Sequence, residues 1–269
     1  MATMNPLDIF KRTPKTNCGA CGHPTCLAFG AAVAKTGEDP TRCPHLDLTG
    51  LELGAREAGS MEDLARERDL ALVAHLKSKV AALDFGALAE PLGAGWNVAE
   101  PDVLTFAYLG RAVRLAKSGI LMAGAEPEDP RDQILLYNYV SMAGGRAPDN
   151  TWVGLESLPN TISKVRTLAT YSEAPLARLF ADLDSETIRR LGHEIGAIAG
   201  PGTSGEVELI VPVLPMLPQY VIFWPAEPAD GFAAKVKVLF DHHVLDFLDV
   251  ESLIFTAERM AERFAELAA

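Results

Sequence analysis

After Cys43 the sequence has no cysteine: its four cysteines fall between positions 18 and 43, and more than two hundred residues follow without one. A disulfide scaffold spreads its cysteines across a small secreted chain, so tight clustering argues against one and favours a metal or cluster site. Long apolar runs are lacking too. No stretch approaches the ~20 consecutive apolar residues of a spanning helix, and the opening MATMNPLDIFKRTPK has no apolar block of a secretory signal. The expected setting is cytoplasmic, with no membrane span. Basic charge is scarce: 24 Lys and Arg face 36 Asp and Glu, for a formal net charge of −12. Binding nucleic acid requires a basic face to neutralise phosphates, so no nucleic-acid partner is expected. The P-loop, H-E-x-x-H and G-x-S-x-G signatures are absent, and no G-x-G-x-x-G is read after a strand, which removes the common nucleotide, zinc-protease and serine-hydrolase readings.

What is present divides unevenly. With 269 residues, 48% hydrophobic and 22% charged, the chain is long enough for one large domain plus a small one. Residues 1–45 carry Lys11, Arg12, Lys15, Lys35 and Arg42 against Asp8, Glu38 and Asp39, a net of +2 that leaves −14 for the remainder. Residues 1–50 hold few large apolar side chains and read as a module organised by its metal. Residues 51–90 read as a helical connector, N-capped by Ser60, with Glu62 and Asp63 in the first turn and Leu72, Leu76, Val80 and Leu83 on one face. Residues 91–269 read as an α+β domain with a mainly antiparallel sheet, because the strands come in groups and do not alternate with helices.

Within that domain, apolar runs at Val103–Tyr108, Ala112–Leu115 and Ile120–Met122 are broken by Leu109-Gly110 and Lys117-Ser118-Gly119, a strand-and-turn pattern. Asp129-Pro130 opens a helix that Gly144-Gly145 ends. Helices are expected near Pro175–Leu183 and over Ser185–Ala199, closed by Gly200. Val207–Val213, Tyr220–Trp224 and Lys235–Phe240 read as strands, with Pro212 suited to an edge or bulge, and Asp249–Leu267 as a terminal amphipathic helix.

The cysteines follow C-x2-C-x4-C-x16-C: Cys18, Cys21, Cys26 and Cys43. Two or four intervening residues confine the first three thiols to one loop around a compact object. Gly19 and Gly22 permit positive φ there and bring backbone N–H groups close to sulfur. Cys26 opens a small-residue helix, LAFGAAVAK, whose N-terminal partial charge favours a thiolate, and the DPTR turn returns Cys43 as the fourth ligand. A [4Fe-4S] cluster accepts this arrangement. Structural zinc accepts the same four thiolates but more often uses two separated C-x2-C knuckles, of which there is one here. As the ligand from a distant turn, Cys43 is the one expected to be lost with least damage.

Residues 14–45, PKTNCGACGHPTCLAFGAAVAKTGEDPTRCPH, resemble the four-iron cluster domain at the N-terminus of the corrinoid iron–sulfur protein large subunit, and that of the Rnf complex B subunit. They share the preceding proline, C-G-x-C-G-x-P-x-C, the alanine-rich helix and the closing C-P. The resemblance covers about an eighth of the chain. It implies the four cysteines as cluster ligands, low-potential electron transfer in an anaerobic setting, and a redox partner such as a ferredoxin or a corrinoid protein. WVGLESLP at 152–159, PVLPMLPQYVIFWP at 212–225 and VLFDHHVLDFLDVESL at 238–253 resemble a domain family without an assigned activity that follows this module in anaerobic prokaryotes. That likeness implies no residue roles.

Other residues carry a functional reading beside a plain one. His23 and His45 flank ligand cysteines and either tune the site or sit in exposed loops. Adjacent His242 and His243, placed in a strand, point to opposite faces and do not share an ion. Trp152, Tyr220, Phe223 and Trp224 line a pocket for a planar ligand or, the favoured reading, pack in the core. Glu156 is buried and perturbed, or serves as a cap or in a salt bridge. The expected function is a one-electron relay, possible in one-carbon or corrinoid metabolism, more a redox carrier than a self-contained enzyme. The alternatives are a cluster-stapled assembly factor and an oxidoreductase whose substrate sits in the C-terminal domain.

Overall fold

Residues 6–36, 38–48 and 61–269 are described in the structure, a computed structural model, and the chain divides into two units, Met1–Arg68 and Asp69–Ala269. In the first unit, helix α1 (Pro6–Lys11) starts at a proline and helix α2 (Cys26–Thr36) at the third cysteine. They touch at Gly30, where a Cβ would come within 2.8 Å of the Pro6 carbonyl oxygen, so only glycine admits this approach. Ile9, Phe29, Val33 and Leu46 are buried together with Cys21 and Cys43. A short 3-10 turn, Pro40–Arg42, is capped by Asp39, whose carboxylate accepts the Thr41 N–H, and the Cys43 N–H closes it on the Pro40 carbonyl.

Helix α3 (Met61–Ala81) contributes Val73, Leu76 and Val80 to the core of the second unit. Leu72, expected on the same face, is exposed: Val73, Leu76 and Val80, spaced three and four apart, form the inward stripe. Ser60 and the side chain of Glu62 lie outside the described residues. Helix α4 (Phe85–Leu88) is capped by Asp84. A four-stranded antiparallel meander follows: β1 (Gly95–Asn97), β2 (Glu100–Tyr108), β3 (Arg111–Ala116) and β4 (Gly119–Met122). Leu109 and Gly110 both take positive φ, giving the two-residue turn whose twist matches a hairpin. Helix α5 (Pro130–Met142) has Asp129 as N-cap and a left-handed C-cap at Ala143 followed by Gly144.

The second sheet takes in β5 (Trp152–Val153), and the chain then runs through α6 (Val165–Leu168), a π-turn at Ala169–Glu173, α7 (Ala174–Ala181) and α8 (Ser185–Glu194). Strands β6 (Ile198–Ala199), β7 (Val207–Leu214), β8 (Leu217–Trp224) and β9 (Lys235–Asp241) complete it in the order β5-β9-β8-β7-β6, antiparallel throughout, and α9 (Val250–Ala268) ends the chain. Alternation along the strands sends Leu209, Val211, Val221, Phe223, Val238 and Phe240 into one core with the helices. There the Phe180 ring meets Phe223 and Phe264 edge-on at 5.6 and 5.2 Å. The same core takes in the first sheet, and the Leu109 N–H donates to the Val213 carbonyl at 3.1 Å.

The α+β class and antiparallel sheets are as expected from sequence. Pro212 sits at a β-bulge of β7. The helix expected over Ser185–Ala199 stops at Glu194, because Gly196 turns with φ +84° and the Ala197 N–H closes back on the Gly192 carbonyl. Ile198 and Ala199 then pair with Ile210 and Leu209 as a strand.

Candidate metal centre

The loop before α2 takes left-handed backbone at Lys15, Asn17, Gly19 and Gly22. The Gly22 N–H closes a turn on the Gly19 carbonyl at 2.9 Å. Asn17 then ties the loop to the helix start, its side-chain oxygen accepting the Cys26 N–H at 2.8 Å. The Thr25 hydroxyl accepts the Ala28 N–H at 3.0 Å, as an N-cap does. Cys26 thereby occupies the first turn of α2.

All four cysteines are free thiols; Cys21, Cys26 and Cys43 are buried and Cys18 is exposed. Cys21 and Cys43 belong to one buried cluster, although 22 positions separate them in sequence. The Ala20 backbone N–H, with the Thr16 hydroxyl beside it, holds the Cys18 thiol below its ordinary range. This donor set, four thiols with no disulfide among them, suits a soft metal or an iron–sulfur cluster.

His23 is half-buried: its Nε2 lies 2.7 Å from Glu38 Oε2, and the Arg42 guanidinium reaches Glu38 Oε1 at 2.6 Å. His45 is exposed in the turn after Cys43. Of the basic residues that give residues 1–45 their net positive charge, Arg42 thus pairs with Glu38, and Lys11 pairs with Asp8 at 3.2 Å. Lys15 lies over the Phe10 ring, 5.8 Å from its centre.

In the larger unit the aromatic quartet does not share a pocket. Alternation along β8 sends Phe223 to the helix-covered face and Tyr220 and Trp224 to the other, where Trp152 packs on Tyr220 at 5.4 Å. The Trp224 indole N–H donates to the Ser204 carbonyl at 2.6 Å. Glu156 is exposed and faces the Lys237 ammonium at 3.7 Å, so it is a surface ion pair.

One feature escaped the sequence reading. Gly200-Pro201-Gly202-Thr203-Ser204-Gly205 does match G-x-G-x-x-G and follows β6, but it leads into strand β7 and not into a helix. Its backbone N–H groups close on the carboxylate of Glu208: Gly202 donates at 2.7 Å and Gly205 at 2.8 Å, with Ser204 and the Tyr220 hydroxyl also bonded to it. The chain fills its own anion nest. Burial works against the charged form, but the Tyr220 hydroxyl and these N–H groups outweigh it and hold the Glu208 carboxyl at about 2. Burial, and the hydrogen bond to that carboxylate, push Tyr220 up to about 12.

The histidine pair also departs from expectation. Strand β9 ends at Asp241, so His242 and His243 sit in the turn beyond it, with ring centres 3.8 Å apart. The opposite-faces argument holds only inside a strand.

Comparison with known proteins bears on both units. Residues 14–45 match the family described as "Putative Fe-S cluster" and residues 84–263 the family described as "Domain of unknown function (DUF3786)". The chain is 48% identical over 60 residues to the corrinoid/iron-sulfur protein large subunit of Moorella thermoacetica, covering 22% of this chain and 13% of that one. It is 40% identical over 52 residues to the acetyl-CoA decarbonylase/synthase complex subunit gamma of Methanopyrus kandleri, covering 19% and 11%. With subunit gamma 2 of that complex from Methanosarcina thermophila it is 44% identical over 46 residues, covering 17% and 10%. The chain therefore spans only about a tenth of the length of these curated relatives. No solved structure matches it. Among the described residues no helix is long and apolar enough to cross a membrane.

Proposed function

The chain belongs to the DUF3786 family, a domain of unknown function, and from that premise we propose that it is an iron–sulfur electron-transfer accessory protein. Cys18, Cys21, Cys26 and Cys43 hold one [4Fe-4S] cluster, and the protein relays single electrons in anaerobic, low-potential one-carbon metabolism in the cytoplasm. Its partners are redox proteins, a ferredoxin-like donor and a corrinoid protein as acceptor. The observation that carries this reading is the cysteine loop itself: four free thiols in C-x2-C-x4-C-x16-C spacing, three buried and one at the surface. The match of residues 14–45 to an iron–sulfur family, and the printed names of the relatives, support the pathway class.

When bound, the cluster supplies reversible one-electron chemistry. The chain's own residues do the rest. The Ala20 backbone N–H stabilises negative charge on the Cys18 sulfur. Exposed Cys18 brings one edge of the site to the surface, where a partner can approach. Lys15, with Lys11 and Arg12 nearby in sequence, contributes to the net +2 of residues 1–45, a positive bias toward an acidic donor that the pairing of Lys11 and Arg42 reduces. Separation of the two units suggests that the DUF3786 domain recognises the acceptor or a client while the smaller unit carries the electron.

Stopped-flow mixing of the anaerobically reconstituted protein with a reduced low-potential ferredoxin, then with an oxidised corrinoid protein, tests the relay. Rapid reduction followed by reoxidation on corrinoid is expected. A cluster that is reduced but passes its electron to no corrinoid protein removes the pathway, and one that cannot be reversibly reduced removes the relay in favour of a structural staple.

A further inference from the structure

We propose that Asp149, Asp241, His242 and His243 form a second metal site, in the DUF3786 domain, for a zinc-class divalent cation. The proposal is independent of the cluster reading, since it uses no cysteine and lies wholly in the larger unit.

The site is built by the end of a strand. Strand β5 pairs with β9 so that Trp152 faces Asp241, and the His242 N–H donates to the Thr151 carbonyl at 3.1 Å as the last rung. The chain then turns into the 3-10 segment Val244–Asp246, which swings both imidazoles to the same side, edge to face at 83°. Asp241 is buried, and its Oδ2 accepts the N–H groups of Asp149 at 2.9 Å and Asn150 at 2.8 Å. Asn150 adopts φ +64° to present its N–H, a conformation asparagine tolerates better than most residues. This clamp delivers the Asp149 side chain to the histidines: His242 Nε2 lies 3.2 Å from Asp149 Oδ2. One ligand atom from each of the four residues lies within 4.8 Å of all the others.

A purely structural role explains part of this. Three backbone N–H groups, those of Asp149, Asn150 and His243, satisfy the buried Asp241 carboxylate without a metal. It does not explain His243. Its Nδ1 is buried without a hydrogen-bond partner, 3.6 Å from Asp241 Oδ1 and beyond hydrogen-bonding reach. A cation beside that nitrogen gives it a partner, and Asp241 keeps lone-pair capacity after three bonds. In a tetrahedron with zinc–ligand distances of about 2.0–2.2 Å the ligand atoms stand about 3.3–3.6 Å apart, so the spread of up to 4.8 Å closes by side-chain movements of about an ångström. Two imidazoles and two carboxylates suit zinc or its neighbours over magnesium or calcium, which take oxygen ligands, and the two carboxylates balance the ion's charge. Asp149 and His242 are exposed enough to give an ion access from solvent.

The test is equilibrium dialysis of the full-length, cluster-loaded protein against Zn2+ under anaerobic conditions, with zinc and iron counted separately and the zinc environment read by X-ray absorption. The expected result is about one zinc per chain beyond the cluster iron, with nitrogen and oxygen neighbours near 2.0 Å and no sulfur near 2.3 Å. Asp149→Asn and His242→Gln, both at exposed positions, should each weaken zinc binding at least tenfold, abolish the rise in Tm on adding zinc, and leave iron content unchanged. Absence of extra zinc, sulfur in its first shell, or equal affinity in both variants overturns the proposal, whatever the iron content. Magnesium competing as well as zinc also overturns it.

Discussion

Among the described residues of the smaller unit, Ile9, Phe29, Val33 and Leu46 form one buried cluster with two cysteines, whereas the larger unit joins two sheets and their helices in one continuous core. Fully burying a side chain the size of Ile9 or Phe29 contributes about 1.5–3 kcal/mol, and ordering a residue's backbone costs about 1–2 kcal/mol. By that reckoning a bound metal is expected to complete the fold around the cysteines. The larger unit needs no such help. What differs between them is therefore the source of order, and loss of metal and loss of packing should separate the two.

The largest effect is expected from removing buried cysteine ligands. Cys21→Ala or Cys43→Ala should abolish cluster binding and remove hydrogen-exchange protection across residues 6–48, while protection in the sheets of the larger unit is unchanged. Burial also shifts the expected tolerant ligand from Cys43 to Cys18: Cys18→Ala should leave a three-iron remnant, visible by electron paramagnetic resonance. Loss of sheet protection along with the cluster would show that the units are not separable in this sense.

The converse experiment breaks packing and spares the metal. Asp132 is buried between Tyr108 and Arg259, whose guanidinium binds both its oxygens at 2.8 and 2.6 Å and so joins α5 to α9. Arg259→Met leaves that carboxylate without its cation, at a cost of about 3–5 kcal/mol. Urea unfolding should record this in the larger unit with iron content unchanged.

Acid gives a smaller, graded effect. Because Glu208 is held at about 2, below the ordinary carboxylate range, the folded chain binds fewer protons than the unfolded chain between the two values. The stability this contributes is present above about pH 4.5 and is lost as pH falls through about 2. Glu208→Gln should flatten the pH dependence of the urea midpoint in that window, and an unchanged slope would remove the nest from the account. The smallest effect is expected at Lys11. Because it already pairs with Asp8, Lys11→Glu should slow reduction by ferredoxin only a few-fold at low salt, with the difference fading as salt rises.

Local rules made much of this legible. The Leu109-Gly110 turn, the Asp129-Pro130 helix start and the start of the terminal helix at Asp249 each act within a few residues, and each appears where the sequence puts it. Contacts made at a distance were not legible. Helix α1 is six residues long and too short to signal itself by periodicity; it is held by packing on α2 at Gly30. Gly196 ends α8 four residues before Gly200, which looked like the natural stop, because β6 is needed to pair with β7. The histidine site depends on where β9 stops. A boundary moved by one or two residues turns opposite faces into a shared side, and it takes Asp149, 92 positions away, to complete the cluster.

The central claim is tested most directly by iron and sulfide analysis of protein isolated without oxygen, with electron paramagnetic resonance after reduction. One reduced [4Fe-4S] cluster per chain, with about four iron and four sulfide, is the expected result. Stoichiometric zinc on the cysteines with no sulfide would contradict it.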